Sequence, residues 1–155
     1  MKKFLNVLFL SLIMALALAA GGVTQPVVEC TGNYARQVLD EVNHYREDYG
    51  LPPLVLSDEL CDDADVRARE LITEFSHTRP DGTSCFSVIR GKYRHVAENI
   101  AAGHESAAET VEQWMNSPGH RANILDSDLK ELGVGYCYAE DSDYRHYWVQ
   151  IFRTR

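Results

Sequence analysis

Apolar residues recur at three- and four-residue steps through much of the chain, then give way to clustered β-formers near its end. Val38, Val42, Tyr45 and Tyr49 mark one face of a helix over about residues 33–49. Gly50 and the run Leu51-Pro52-Pro53-Leu54 stop it, since proline lacks the amide and clashes with the preceding turn. A second helix opens after Ser57, an N-cap residue, with Asp58 and Glu59 at the positive end of its dipole. Leu60, Ala64, Ala68, Leu71, Ile72 and Phe75 form its buried stripe, and a short helical turn follows over about residues 84–90. Ser106-x-x-Glu109 is a capping box, and Ala107, Val111, Trp114 and Met115 give that helix an inner face. Ser117-Pro118 places proline at the first position of a brief helix running through His120 to Leu125. Residues 132–139 and 147–153 are rich in Val, Ile, Tyr, Trp and Phe and flank a polar turn, which predicts an antiparallel hairpin with a long loop. Helices first and a strand pair last make an α+β layered domain.

The N-terminus follows a different pattern. Lys2 and Lys3 precede an apolar run from Phe4 to Ala20, and small residues follow at Ala19, Ala20, Gly21 and Gly22. That order is a secretory signal peptide over residues 1–22. The run is barely long enough to cross a bilayer and no second span follows, so cleavage is expected rather than anchoring. Residues 23–32 read as a tether, and residues 33–155 as one domain. Export makes the protein secreted or associated with the cell envelope, with no membrane contact after cleavage.

Composition then narrows the partners. The 155 residues hold 23 acidic and 15 basic side chains, a formal net charge of −8. Losing Lys2 and Lys3 with the leader would take that charge to −10. Nucleic acid is excluded as a partner because its recognition needs clustered cations. An anionic membrane surface is disfavoured for the same reason. A monomer that meets a small ligand or an extracellular protein or peptide is the expected form. In an oxidising compartment the even set Cys30, Cys61, Cys85 and Cys137 suggests two disulfides, with three pairings open. No C-x-x-C pair supports redox or zinc-ribbon chemistry.

Candidate chemistry lies where polar groups interrupt apolar surroundings. His77 follows the second stripe at a turn, Glu98 sits inside the apolar segment Val96-Ala97-Glu98-Asn99-Ile100-Ala101-Ala102, and His120 is on the first turn of its helix. A carboxylate between Ala97 and Ile100 is costly unless paired or solvated in a cleft. Two imidazoles and a carboxylate can serve as metal ligands or as an acid/base set. Equally, they can be capping or surface groups. His44, His95, His104 and His146 read as surface residues, and Trp114 and Trp148 as core.

Read in order, the segments share more than spacing. They are Asn43-His44-Tyr45-Arg46, Phe75-Ser76-His77-Thr78, Ala97-Glu98-Asn99-Ile100-Ala101, Trp114 through Leu125 with Ser117-Pro118-Gly119-His120-Arg121, Gly133-Val134-Gly135-Tyr136, and Tyr147-Trp148-Val149-Gln150-Ile151-Phe152. The chain resembles the bacterial branch of the CAP superfamily: cysteine-rich secretory proteins, antigen 5 and pathogenesis-related proteins, or SCP-like extracellular domains. The resemblance covers about residues 35–153 and implies a three-layer α-β-α sandwich with a small antiparallel sheet. It also implies a cleft with a His/Glu/Glu/His set that binds divalent metal, often zinc, in some members. His77, Glu98 and His120 match three of these positions. Ser117 stands where the second Glu would be. Ser76 and Asn99, by adjacency, are expected to orient the site.

Function readings fall into three classes. The first is an exported binding module whose cleft holds zinc, another divalent metal or a small ligand. The second is a hydrolase of peptidase type, with His77 or His120 as base and a metal or Glu98 assisting. Ser76 and Ser117 lie near the histidines, yet neither sits in a Gly-x-Ser-x-Gly elbow. The third is a purely structural His/Glu cluster.

Overall fold

The computed structural model describes residues 28–30 and 33–155. The leader expected over residues 1–22 lies outside them, as does most of the tether. The elements run β1 (Val28–Cys30), α1 (Tyr34–Asp48), β2 (Val55–Leu56), α2 (Asp58–Thr73), a 3₁₀ turn (Cys85–Val88), β3 (His95–Ala102), α3 (Ala107–Asn116), α4 (Pro118–Ile124), β4 (Glu131–Ala139) and β5 (His146–Thr154). Each helix predicted from periodicity is present within a residue or two. Gly50 ends α1 with φ +69°, the left-handed conformation that favours glycine. Ser57 Oγ accepts from Leu60 N at 3.4 Å, and Ser106 Oγ accepts from Glu109 N at 3.3 Å while donating to Glu109 Oε2 at 2.8 Å. Ser117 occupies the N-cap of α4 but its side chain makes no capping bond there.

The sheet runs in the order β1-β4-β5-β3, antiparallel throughout, with two-residue β2 adding a parallel pair to β4. It is therefore mixed, where the resemblance implied an antiparallel sheet. β5 is buried along nearly its whole length because both of its faces are covered. On one face α1, α3 and α4 pack Val38, Val42, Val111, Trp114 and Ile124 against Trp148 and Phe152. On the other, Leu60, Ala64, Ala68 and Leu71 of α2 meet Tyr147, Val149 and Ile151. The result is the three-layer sandwich.

Two glycines set how closely α2 approaches β4. A Cβ on Gly133 would stand 2.3 Å from Leu60 backbone carbon, and one on Gly135 would stand 2.1 Å from the Ala64 carbonyl oxygen. Only hydrogen fits there.

The cysteines depart from the expected pattern. Cys61 and Cys85 are free thiols, so the two disulfides suggested by the even count do not both form. Cys61 points from the first turn of α2 toward β4, where its sulfur accepts from Val134 N at 3.5 Å. Cys85 sits on the 3₁₀ turn beside Glu98. The two thiols thus serve different surroundings. Cys30 and Cys137 are opposite one another in the β1–β4 register.

Candidate functional site

Strand alternation turns Glu98 into the protein. Along β3, Val96, Ile100 and Ala102 pack on the α2 side, whereas Ala97 and Ala101 pack on the α1/α3 side. Glu98 shares parity with the first set and is 6% exposed. A buried carboxylate needs partners for its lone pairs. Arg67, itself fully buried on α2, supplies one from Nε to Oε2 at 2.9 Å. His77 Nδ1 supplies the other to Oε1 at 2.8 Å. A carboxylate only accepts, so Nδ1 carries the proton, and in the neutral ring Nε2 keeps its lone pair.

Arg67 is held in turn by its surroundings. Its remaining nitrogens donate to Glu70 Oε2 at 2.6 Å and to the Ser76 carbonyl at 2.7 Å. Glu70 also receives Arg79, at 2.6 Å from Nη2. A ladder of alternating charge, Arg79–Glu70–Arg67–Glu98, therefore ends at His77. Burial pulls the Arg67 guanidinium down, but its hydrogen bonds to Glu98 and Glu70 outweigh that and the net shift is upward. Burial pushes Glu70 up, and its bonds from Arg79 and Arg67 overcome that and leave it lowered.

His77 lies on the loop after α2, its side chain 54% exposed and its backbone fixed by pairing. Cys85 N donates to the His77 carbonyl at 3.1 Å, and Thr78 bridges Ser84. His120 is on the first turn of α4, and its carbonyl accepts from Asn99 Nδ2 at 3.1 Å. Burial lowers the His120 pKa, and the nearby charge of His77 lowers it further. The two histidines are thus electrostatic neighbours.

Ser76 and Asn99, expected to orient the site, each make hydrogen bonds beside the histidines. Ser76 Oγ accepts from Thr78 N at 3.0 Å and holds the loop, touching neither histidine. Asn99 points to the opposite face from Glu98. There it accepts from Asn123 at 2.8 Å and donates to Gln150 at 3.0 Å, so it clamps α4 to β3. It positions His120 through the backbone.

Two residues escaped sequence reasoning. Arg67 sits seven positions after Leu60, on the apolar stripe itself, and a cation at a stripe position was the signal that could have exposed it. Cys85 was read only as a disulfide half. It is 5% exposed, and burial followed by the Glu98 charge pushes its thiol up to about 11.

The site opens into a groove of about 350 Å³ whose lining includes His120, Ser117, Gln113 and the rings of Phe75 and Tyr144. Those two rings are 44% and 51% exposed, with centroids 5.8 Å apart. A larger hollow of about 470 Å³ lies over α1 and contains none of the site residues. His77 and Glu98 are in hydrogen-bond contact and share with Cys85 a cluster whose ligand atoms lie within 4.8 Å of one another, while His120 is an electrostatic neighbour of His77.

The model of the cysteine-rich secretory protein family (CAP) matches residues 39–152. The Bacillus subtilis uncharacterized protein YkwD is 34% identical over 108 residues, 66% of this chain and 42% of that protein. Its curated relatives are longer, and the chain spans well under half the length of those it matches. A Bacillus anthracis extracellular protein containing an SCP domain superposes with TM-score 0.68 and 28% identity, over 79% of this chain and 40% of that one. An outer surface protein of Borrelia burgdorferi shares the fold at TM-score 0.70, with 24% identity over 77% of this chain and 91% of that one. Among the described residues no helix is long and apolar enough to cross a membrane.

Proposed function

The chain belongs to the cysteine-rich secretory protein (CAP) family, and we propose that it acts as an exported binding module whose cleft holds a divalent cation on His77, Glu98 and His120. The observation that carries this reading is the 2.8 Å bond from His77 to a Glu98 carboxylate already anchored by Arg67. That bond sets Nδ1 and Oε1 side by side, and a cation held between them would take the place of the shared proton, which would pass to Nε2 or to solvent. Zinc is the cation whose preferences best fit imidazole and carboxylate donors together. Bound there, it would polarise a ligand oxygen. Glu98 holds the His77 ring, Asn99 holds the His120 backbone, and Phe75 and Tyr144 offer apolar surface to a small ligand or an extracellular peptide.

The sequence of residues 1–22 and the description of the Bacillus anthracis relative as extracellular support export. A bridge between Cys30 and Cys137 belongs to the same reading, supported by their place opposite one another in the β1–β4 register.

The buried Arg67–Glu98 pair favours a second role alongside the first, tying α2 to β3. Calorimetric titration of the chelator-treated protein with zinc separates the two. Binding at one site, abolished in His77→Ala/His120→Ala with the thermal unfolding midpoint retained, is the expected result. A protein that takes up no zinc, or a double variant that binds it equally well, would leave only the structural role.

A further inference from the structure

The donor set just proposed is short by one, because Ser117 replaces a carboxylate. The loop between His77 and the 3₁₀ turn supplies a replacement from another direction. That loop folds back on itself: Arg79 N donates to Thr83 O at 2.9 Å, Gly82 N to Arg79 O at 2.8 Å, and Cys85 N to His77 O at 3.1 Å. Ser84 Oγ caps the turn by accepting from Phe86 N at 3.3 Å. Backbone pairing therefore sets Cys85 beside His77. One ligand atom from each of His77, Cys85 and Glu98 lies within 4.8 Å of the others. The arrangement draws on three separate segments: the loop, the 3₁₀ turn and β3. Arg67 holds Oε2 of Glu98, leaving Oε1 on the side of His77. Cys85 is buried and free of any disulfide.

We propose that Cys85 is a metal ligand, supplying a thiolate that with His77 and Glu98 makes the cleft selective for thiophilic divalent cations. Thiolate and imidazole donors suit zinc, cobalt and cadmium, whereas calcium and magnesium demand shells of oxygen. When the metal–sulfur bond forms, the S–H bond breaks and its proton passes to solvent, with no change of oxidation state. The inference rests on the metal reading of the cleft given above, and adds to it the identity of a ligand and the class of cation.

Cobalt(II) is the probe, because cobalt bound to a thiolate absorbs in the near ultraviolet through sulfur-to-metal charge transfer, and cobalt bound only to nitrogen and oxygen does not. The experiment uses the full protein in a Cys61→Ser background, which removes the other free thiol. The expected result is one equivalent of cobalt with a thiolate band, and no competition from calcium or magnesium in large excess. Cys85→Ser then abolishes the band and weakens zinc by about tenfold or more, the scale seen when even an outer partner of a ligand is lost. Cobalt that binds without the band overturns the role of Cys85 and leaves the histidine site standing. Cobalt that does not bind at all overturns both. The band in the Cys61→Ser protein is decisive even where Cys85→Ser fails to fold.

Discussion

On the α1/α3/α4 side of the sheet, Trp114, Trp148, Phe152 and Ile124 close an apolar core, its buried polar members are Asn99, Gln150 and Thr110, and its buried cation, Arg46, donates to backbone carbonyls. On the α2 side, Arg67 and Glu98 are buried among Leu60, Ala64, Leu71 and Val149. The first side is held by area removed from water, at about 25 cal/mol per Å² of apolar surface. The second must also compensate the desolvation of the Arg67–Glu98 pair, which a buried pair often only just does. A fold seeking stability alone would make both sides like the first. The α2 side carries charge because the carboxylate end of its ladder meets His77 at the cleft.

Arg67→Met breaks that contrast most severely, leaving Glu98 buried without its cation. It should cost about 3–5 kcal/mol in chemical denaturation. Adding Glu98→Leu should return much of the loss, since two apolar groups replace the pair. A double variant no more stable than the single one would mean that the charges are essential to the fold rather than to the cleft.

Gly135→Ala tests how tightly the same side is closed. A methyl against the Ala64 carbonyl should cost about 1–3 kcal/mol. Gly119, on the other side in α4, has nothing within 4 Å of an added Cβ. Gly119→Ala should therefore raise stability by about 0.4–1 kcal/mol. Thermal unfolding of the two variants together checks the asymmetry.

Acid should weaken the ladder before it touches the apolar side. Glu70 is lowered in the folded protein, so its contribution is full above its ordinary value of 4.5 and is lost as pH falls through the depressed one. Stability measured below pH 4.5 should fall less steeply in Glu70→Gln than in the parent; equal slopes would remove Glu70 from the ladder. Ser76→Ala is the smallest change, within about 0.5 kcal/mol, because Ser76 Oγ serves an exposed turn.

The same two sides differ in how much the sequence disclosed. The apolar face was legible: Val38 and Val42 on α1, the Ser106 box and the Trp114 stripe are local periodicities, and local patterns survive folding. The hairpin β4–β5 was legible for the same reason. β3 was not named from its periodicity, because a strand covered on both sides shows no polar alternation around Val96–Ala102. Arg67 stayed hidden because its partner Glu98 is 31 residues away, and only the packing of α2 on the sheet joins them. His77, Glu98 and His120 stood out as polar groups in apolar surroundings, and the resemblance gave them a shared role. The loop hydrogen bonds that bring Cys85 to His77 and Glu98 follow from tertiary pairing, which no spacing rule expresses. Arg46 shows the same limit on the apolar side: it is fully buried and donates to the carbonyls of Pro52, Ile124 and Asp126 rather than to an acid.

If the charged side of the sheet exists to present a metal-holding cleft, the purified protein must take up metal there. Elemental analysis of the protein, equilibrated with zinc and then freed of excess, tests this most directly. One zinc per chain, removed by chelator and absent from His77→Ala/His120→Ala, is the predicted result. Zinc absent from the parent, or retained in full by the double variant, would contradict it.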